Sequence, residues 1–232
     1  MRIAIIGYGR MGHEIEAVAN ARGHEIVCRV DPVVADADVG SVREAVDAKL
    51  IASGVCAIDF ALPSAVEGNI AAYAEAGNAA VIGTTGWDAD REKVLAPAKD
   101  AGIPLVWGSN YSVGANMTVR IAAYAARLST AAGSYDTGLL ELHHTGKKDS
   151  PSGTAIMLAE AMREVTEGKS EIQTETLHRQ IRREEMHVVS GRIGSIPGTH
   201  TVYFDSTADT VELTHRARNR GGFALGAVQA AE

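Results

Sequence analysis

The stretch RIAIIGYGRMG, residues 2–12, joins a short apolar run to a glycine-rich turn and to the start of a helical pattern. Gly7, Gly9 and Gly12 match the spacing G-x-G-x-x-G, directly after a predicted strand and directly before a predicted helix. In this arrangement the first glycine permits the tight turn, the second lets the backbone approach a pyrophosphate, and the third lets helix and strand pack closely. The stretch therefore predicts a strand–turn–helix unit that binds a dinucleotide.

An acidic residue follows at the place that such a unit requires. Asp31 ends the second predicted strand about 20 residues after the turn, where a carboxylate binds ribose hydroxyls. Its charge favours NAD over the 2′-phosphate of NADP, and Pro32 rather than an arginine follows it. Arg10 and Arg29 are also candidates to reach a 2′-phosphate, so we expect NADH to be preferred while use of NADPH stays open. The predicted contacts in the turn are Gly7, Tyr8, Gly9, Arg10, Met11 and Gly12.

Short apolar runs alternate with helical patterns over the first half of the chain. Strands that are apolar along their whole length, separated by helices, are typical of a parallel sheet covered on both faces. We therefore expect a doubly wound, Rossmann-like α/β domain that binds the dinucleotide over residues 1–112. The predicted strands are Arg2–Ile6, Glu25–Val30, Val55–Phe60, Ala79–Ile82 and Pro104–Trp107, and the predicted helices are Arg10–Ala21, Ser64–Ala76 and Asp88–Ala101.

The pattern changes after residue 112. A long predicted helix, a strand of mixed polarity and a second helix precede a polar segment over residues 167–183. Three closely spaced runs then alternate polar and apolar residues, as half-exposed antiparallel neighbours do: His187–Ile193, Thr199–Asp205 and Thr210–Arg216. Residues 113–216 are therefore expected to form an α+β domain with a mixed sheet, which binds substrate and joins subunits. Residues 217–232 are expected to form a helix that packs back onto the first domain.

The overall composition argues against several classes of protein. A net charge of −7 does not suit a nucleic-acid binder, which needs a basic face. No apolar run approaches the ~18 residues that span a bilayer, and the glycine turn interrupts the first run too early for a secretory signal. Cys28 and Cys56 lie in predicted strands, where we expect buried free thiols. These features predict a cytoplasmic protein that does not contact membranes.

A second informative segment is ELHHTGKKDSPSGT, residues 141–154, in which two histidines end a strand and two lysines occupy the following loop. Ser152, Gly153 and Thr154 then begin a helix, whose N-terminal amides bind anions. Histidine and lysine in one loop also offer general acids near neutral pH. Each feature alone is ordinary on a protein surface, but together they predict a site for a small carboxylate-bearing substrate. Neither His-Glu-x-x-His nor Cys-x-x-Cys accompanies the histidines, so no metal is expected.

Five motifs resemble those of the 4-hydroxy-tetrahydrodipicolinate reductases, formerly called dihydrodipicolinate reductases, of the diaminopimelate route to lysine. They are GYGRMG at 7–12, GTTG at 83–86, SNYSVGAN at 109–116, ELHH with DSPSGT within 141–154, and GRIGSIPGTH at 191–200. The block over residues 143–154 is the most specific of them. The resemblance covers nearly the whole chain and implies an NAD(P)H-dependent oxidoreductase.

The resemblance also implies roles for individual residues and an assembly. It implies that His143 is a proton donor and acceptor and that Lys147 is a proton donor. The substrate contacts are then His144, Ser152, Gly153 and Thr154. The contacts on the nicotinamide side are Gly83, Thr84, Thr85, Ser109, Asn110, Tyr111 and Ser112. The family is usually a homotetramer built through its C-terminal sheets, in agreement with the half-exposed strands.

Three departures from the family pattern stand out. The segment between Asp31 and Val55 is short, so one element of the first domain is expected to be missing or reduced. Ala61 replaces the usual threonine after Asp-Phe in the third strand, which is expected to alter cofactor positioning modestly. Ser150 replaces the usual alanine before Pro151, with no expected effect.

The residues support hydride delivery to an electron-poor cyclic imine dicarboxylate. Hydride addition leaves an enamine-like anion, so an acid must stand near the far carbon; Lys147 is the first choice, and His143 supplies the proton or holds the lysine and substrate in register. Domain closure with hinges near residues 110–114 and 216–222 is expected to bring the loop to the nicotinamide. Two alternatives are another two-domain NAD(P) oxidoreductase, of the aspartate or homoserine dehydrogenase type, and a non-catalytic NAD(P)-sensing protein. Neither needs the histidine–lysine loop joined to Ser-Gly-Thr.

Overall fold

The computed structural model describes residues 1–232, except for the side chain of Asp88. The chain forms two units, one of Met1–Ser112 with Arg220–Glu232 and one of Val113–Asn219. Each unit contains its own five-stranded sheet. No helix in the described part of the chain is long and apolar enough to cross a membrane.

Ten strands and seven helices follow one another along the chain. The strands are β1 (Arg2–Ile6), β2 (Glu25–Val30), β3 (Val55–Asp59), β4 (Ala79–Ile82), β5 (Leu105–Trp107), β6 (Asp136–His143), β7 (Glu171–Gln173), β8 (Glu185–Arg192), β9 (Thr199–Asp205) and β10 (Thr210–Arg216). The helices are α1 (Arg10–Ala21), α2 (Val42–Asp47), α3 (Val66–Ala76), α4 (Arg91–Ala101), α5 (Val113–Ala132), α6 (Gly153–Arg163) and α7 (Gly221–Ala231).

The sheet of the first unit is parallel throughout, in the order β2-β1-β3-β4-β5. Because the chain winds outward in both directions from β1 and β3, a crevice forms where the carboxyl ends of these two strands part. The predicted doubly wound α/β sheet is confirmed. The crevice is the place where ligands bind in folds of this kind.

Helices cover both faces of this sheet. Successive residues of a strand point to opposite faces, so Ala4 and Ile6 pack with the core under α2, α3 and α4, while Ile3 and Ile5 pack with α1 and α7. All four side chains are buried. This two-sided burial is the physical reason that the strands read as continuous apolar runs.

Local sequence explains where several helices begin and end. Gly77 and Gly102 follow α3 and α4 with φ of 69° and 65°, the left-handed conformation in which glycine ends a helix. The helices predicted to begin at Ser64 and Asp88 instead start as 3₁₀ turns, Pro63–Ala65 and Asp88–Asp90. The short segment after Asp31 contains one six-residue helix, α2.

The sheet of the second unit is mixed, in the order β10-β9-β6-β8-β7. The predicted mixed sheet is confirmed, but the prediction that the last three strands are antiparallel neighbours is wrong for β8. That strand lies on the other side of β6 from β9 and is parallel to both β6 and β7. The strand β7 lies within the polar segment that the sequence left unassigned. Its three residues are too few for a periodic signal.

Helices α5 and α6 cover one face of this second sheet. Along β6, Leu139, Glu141 and His143 are buried, whereas Leu140 and Leu142 between them are only half-buried. Leu139 packs in the core with residues of both helices. Because side chains alternate along a strand, Glu141 and His143 share the helix-covered face. This placement brings two titratable groups together at the carboxyl end of β6.

Candidate active site

A cavity of about 560 Å³ lies in the first unit at the carboxyl ends of β1, β2 and β3. Predicted cofactor contacts that line it are Gly7, Gly9, Arg10, Met11 and Asp31. Part of the remaining wall is apolar, with Pro32, Val33, Val42 and Leu62. Val33 is 88% exposed, which is unusual for valine and leaves an apolar surface open to a ligand. The cavity therefore joins the glycine turn and the acidic residue at the crevice of the sheet.

The glycines of the turn differ in what a side chain would meet. Gly7 has φ of 84°, and a Cβ there would overlap the carbonyl of Phe60. A Cβ on Gly12 would lie 2.6 Å from the carbonyl oxygen of Gly7. Gly9 has an ordinary φ of −80°, and no atom lies within 4 Å of the position of an added Cβ. Since Gly9 lines the cavity, a side chain there would fill ligand space, and the turn therefore fits a dinucleotide pyrophosphate.

The Asp31 carboxylate is oriented by three backbone amides. Its Oδ2 accepts a hydrogen bond of 3.0 Å from the Tyr8 amide. Its Oδ1 accepts from the amides of Val33 and Val34 at 2.9 and 3.0 Å. A carboxylate has about four lone-pair positions, so it can also accept from ribose hydroxyls. The structure thus places the predicted acceptor, already held in position, on the cavity wall.

The two arginines considered for a 2′-phosphate have different surroundings. The Arg29 guanidinium is paired with Glu16, and it lies 3.5 Å from a carboxylate oxygen of Asp38. The hydrogen bond between Glu16 and Arg29 holds the pKa of Arg29 above its ordinary value and the pKa of Glu16 below. Arg10 instead is exposed on the cavity wall. The charge of Arg29 is therefore already compensated, whereas Arg10 faces the cavity.

The predicted residues after β4 lie against the wall formed after β3. A Cβ on Gly83 would overlap the Phe60 ring, so only glycine lets these two segments pack. The Thr84 hydroxyl donates to the carbonyl of Ala61 at 3.1 Å, and Thr85 is exposed. Because Thr84 bonds the backbone of residue 61, this contact does not need the threonine that the family usually has there.

The predicted residues after β5 form a turn held to the same edge of the sheet. The Tyr111 hydroxyl donates to the backbone carbonyls of Ile82 and Val106 at 3.0 and 3.2 Å. The Asn110 side-chain oxygen accepts from the Ser112 amide at 2.8 Å, closing the turn. Ser109 is exposed. Although these residues do not line the cavity, they lie at the same strand ends, beyond its wall.

A buried polar cluster lies in the second unit at the end of β6. Glu141 Oε1 accepts from the Ser152 amide at 3.2 Å and from Arg192 Nη2 at 2.9 Å. Glu141 Oε2 lies 2.6 Å from His143 Nδ1. Burial raises the pKa of Glu141, but these hydrogen bonds outweigh it and hold that pKa below the ordinary value. The carboxylate is therefore charged at neutral pH, and it connects His143, Arg192 and the start of α6.

A second buried histidine lies beside this cluster. His200 Nε2 is 3.1 Å from the Ser152 hydroxyl and 3.8 Å from Glu141 Oε2. Burial and the nearby His143 lower the pKa of His200 to about 4, so His200 is neutral near pH 7. Burial is also the main reason that the pKa of His143 lies below its ordinary value, while Glu141 acts in the opposite direction. The two imidazoles meet edge to face with ring centroids 5.2 Å apart.

The other predicted substrate residues surround the cluster. Lys147 is half-buried, and its Nζ lies 2.8 Å from a carboxylate oxygen of Asp149. The Ser152 hydroxyl accepts from the Ala155 amide at 3.2 Å and thereby caps α6. Gly153 is exposed with no atom within 4 Å of an added Cβ, which leaves the N-terminus of α6 open. The half-buried His144 and Thr154 adjoin the cluster in sequence.

Glu141, His143 and His200 also bring one donor atom each within 4.8 Å of the others, as metal ligands do. Two ligands of one tetrahedral zinc stand roughly 3.3 Å apart, given bond lengths near 2 Å. The 2.6 Å between Glu141 and His143 is shorter and fits a shared proton. The Arg192 guanidinium on the same carboxylate adds a positive charge that disfavours a cation. The donor set therefore fits proton binding better than metal binding.

Sequence reasoning assigned no role to three residues of this cluster: Glu141, Arg192 and His200. One signal was available for the first, because Glu141 precedes His143 by two positions and so shares its strand face. The other two lie in the GRIGSIPGTH motif, but their approach to β6 depends on the pairing of β8 and β9 with that strand. No pattern in the local sequence indicates that β8 and β9 pair with β6.

Comparison with known proteins identifies both units. Residues 1–111 match the family description "Dihydrodipicolinate reductase, N-terminus", and residues 114–232 match "Dihydrodipicolinate reductase, C-terminus". The 4-hydroxy-tetrahydrodipicolinate reductase of Christiangramia forsetii is 36% identical over 232 residues, covering 100% of this chain and 91% of the relative. The enzyme of the same name from Alkalilimnicola ehrlichii is 39% identical over 251 positions, covering 100% and 92%.

A solved structure shows the same fold. Dipicolinate-bound dihydrodipicolinate reductase from Paenisporosarcina sp. TG-14 superposes with a TM-score of 0.79, over 100% of this chain and 93% of that one. Sequence identity with it is 22%, so this likeness supports the architecture alone.

Proposed function

This chain belongs to the dihydrodipicolinate reductase family, and we propose that it reduces 4-hydroxy-tetrahydrodipicolinate to tetrahydrodipicolinate in the diaminopimelate route to lysine. It is an NAD(P)H-dependent oxidoreductase, and the comparisons favour neither a dehydrogenase of the aspartate or homoserine type nor a cofactor sensor. In this proposal residues 1–112 bind the dinucleotide, and residues 113–216 bind substrate and join subunits.

The observation that carries the proposal is the cluster at the end of β6. It combines a titratable histidine, a half-buried lysine and an open helix N-terminus within residues 143–154. A bound reduced nicotinamide supplies the hydride. Lys147 donates the proton that neutralises the anion left in the substrate, and His143 holds or replenishes that proton. Removing Lys147 leaves the developing charge without that acid, and removing His143 leaves the lysine without the group that holds or replenishes its proton.

The residues around the cluster suit a small dicarboxylate. A related reductase has been solved with dipicolinate, an aromatic dicarboxylate. Lys147 and the amides of α6 at Gly153 and Thr154 offer positive charge to one carboxylate, with His144 and Ser152 beside them. Asp149 holds Lys147 before substrate arrives, and the substrate carboxylate takes over that contact.

We further propose that NADH is the preferred cofactor. Asp31 places a carboxylate on the cavity wall, where it binds ribose hydroxyls and repels a 2′-phosphate. Arg29 is matched by Glu16 and Asp38, so rotating it towards a 2′-phosphate would break existing ion pairs. Arg10 is the cationic side chain that lines the cavity. Steady-state kinetics with both cofactors, repeated on Arg10→Ala, would show how much NADPH activity depends on it.

The direct test is loss of NADH or NADPH absorbance when the aldolase product of pyruvate and aspartate semialdehyde is supplied. We expect Lys147→Ala to lower kcat by roughly 100-fold or more, the usual contribution of a general acid, with cofactor affinity unchanged. The neighbouring Lys148, which is exposed, is the matched control, and Lys148→Ala should retain near-native turnover. No oxidation of either cofactor would refute the proposed function, and native turnover of Lys147→Ala would refute the role of Lys147.

We propose a cytoplasmic homotetramer joined through the second sheet. The face of β6 away from α5 and α6 carries half-buried leucines, and Val189 on β8 is 43% exposed. These side chains are an apolar surface that a subunit contact would cover. The buried free thiols Cys28 and Cys56 confirm the sequence prediction and suit a reducing compartment. Light scattering after size exclusion tests the assembly, because a monomer mass would refute it.

A further inference from the structure

The proposed reaction leaves one buried charge of the cluster without a role. The side chain of Glu141 is completely buried in the second unit, on β6. Burying a carboxylate is costly unless charged partners and hydrogen bonds compensate it. An apolar residue would fill the same space on this helix-covered face, as Leu139 does two residues earlier. The charge of Glu141 therefore calls for an explanation beyond packing.

The partners of Glu141 are parts of the proposed site. One oxygen accepts from Arg192 and from the amide of Ser152, at the start of α6. The other lies 2.6 Å from His143 Nδ1. Both atoms are buried and neither forms a well-aligned hydrogen bond with any residue in the described part of the chain, so each faces the other as the donor or acceptor that it lacks. One carboxylate thus sets the positions of an imidazole, a guanidinium and a helix start.

The contact also decides which imidazole nitrogen is available. A carboxylate accepts hydrogen bonds, so His143 Nδ1 carries the proton and Nε2 is the other, variable site. On its Nε2 side the ring lies close to Gly198, where an added Cβ would come within 2.9 Å of Nε2, so this close approach requires glycine. Because Nδ1 faces the carboxylate, Nε2 is the nitrogen of His143 that is left to exchange a proton.

We propose that Glu141 is a positioning residue for the reduction: its carboxylate holds His143 in the Nδ1–H form and at the same time anchors Arg192 and the N-terminus of α6. The proposal rests on the proposed function for the reaction that it serves. It differs from a metal site, because the carboxylate and the imidazole are already in direct contact.

The charges that face His143 make the effect of Glu141 measurable. Lys147 on the loop after β6 and Arg192 on β8 are positive charges that lower the pKa of His143, and Asp149 pairs with Lys147. The neutral His200 on β9 meets the His143 ring edge to face. Beyond these, His215 on β10 lies against His200 with ring centroids 6.3 Å apart. The nearest negative charge is that of Glu141. Without it, His143 is left mainly among cations, and its protonated form loses stability.

The test is Glu141→Gln, which keeps the shape of the side chain and removes its charge. Glu185→Gln is the matched control, because Glu185 is equally buried in the same unit and is also paired with arginines, Arg179 and Arg182. We expect the pKa of His143, measured by NMR, to fall in Glu141→Gln and to stay unchanged in Glu185→Gln. We also expect kcat to fall roughly 10- to 100-fold in Glu141→Gln alone, with native affinity for NADH. An unchanged pKa of His143 in Glu141→Gln would overturn the proposal.

A measurement on the native protein covers the case in which Glu141→Gln does not fold. The nitrogen chemical shifts of His143 report its tautomer directly, and we expect the proton on Nδ1. A neutral His143 with its proton on Nε2 would overturn the proposal, as would activity that is lost on treatment with a chelator and restored by zinc. These NMR readings need no turnover, so they separate failure of the positioning role from failure of the proposed reaction.

Discussion

Gly9→Ala and Gly7→Ala place the same methyl group at two glycines of one turn, and we expect them to affect different properties of the protein. Gly9 has φ of −80° and open space around an added Cβ, but it lines the cavity of the first unit. Gly7 has φ of 84°, and an added Cβ would overlap the carbonyl of Phe60. We therefore expect Gly9→Ala to impair binding of NADH and Gly7→Ala to impair folding.

The magnitudes follow from these geometries. At Gly9 the methyl group keeps a charged pyrophosphate from the backbone amides, and each such hydrogen bond contributes about 1.5–3 kcal/mol. Loss of one or two raises the Kd for NADH by roughly 100-fold, since each 1.4 kcal/mol is about tenfold. At Gly7 the left-handed backbone costs about 1–2 kcal/mol and the overlap about 1–3 kcal/mol more. For a chain of this size, each kcal/mol lowers Tm by about 2–4 °C.

Thermal melts and calorimetric titration with NADH separate the two effects. The free energy of unfolding of Gly9→Ala should stay within about 1 kcal/mol of the native value. NADH should raise the Tm of this variant much less than it raises the Tm of the native protein. Gly7→Ala should melt roughly 5–15 °C lower without any ligand. Native affinity for NADH in Gly9→Ala would show that the turn does not hold the pyrophosphate, and the assignment of the cavity would then be wrong.

Two further predictions concern buried titratable groups. Burial raises the pKa of Cys28 and of Cys56 to about 11, so neither thiol should react with iodoacetamide at pH 8 until denaturant is added; rapid alkylation of the native protein would contradict their burial. His200 has its pKa lowered to about 4 in the folded chain, so the unfolded chain binds the extra proton first, and the free energy of unfolding should fall as pH drops from 6.5 towards 4. The loss is on the order of 2–3 kcal/mol and should be absent in His200→Gln; urea unfolding at several pH values measures it, and an identical pH dependence in both proteins would refute it.

Short-range sequence patterns were enough to predict most of the fold. The first sheet was predictable because its strands are buried on both faces and therefore apolar along their length. The glycines of the turn also follow the fixed sequence spacing G-x-G-x-x-G. The second sheet was predictable as mixed, but the place of β8 was not. Its alternating residues indicate a half-exposed strand and say nothing about which strand it pairs with. Pairing depends on the whole set of strands, since β8 meets β6 in parallel across α6.

The candidate site divides in the same way. Two segments could be recognised from the sequence because their functional groups lie within a few consecutive residues. They are the turn at Gly7, Gly9 and Gly12 and the loop over residues 143–154. The partners of those residues were not, because they come from distant positions: Arg192 and His200 approach Glu141 only when β8 and β9 pair with β6. Charge compensation of Arg29 by Glu16 likewise depends on α1 crossing β2.

The sequence by itself determined the doubly wound unit and the glycine turn with its acidic partner, and it predicted a dicarboxylate site in the loop over residues 143–154. Local spacing decides these features, because turns, strand faces and helix starts involve residues a few positions apart. Tertiary structure alone decided that Glu141 lies against His143 and that Arg29 is already paired. Both depend on contacts between residues far apart in the chain, and the protonation state of a buried group is set by whichever charges folding brings beside it.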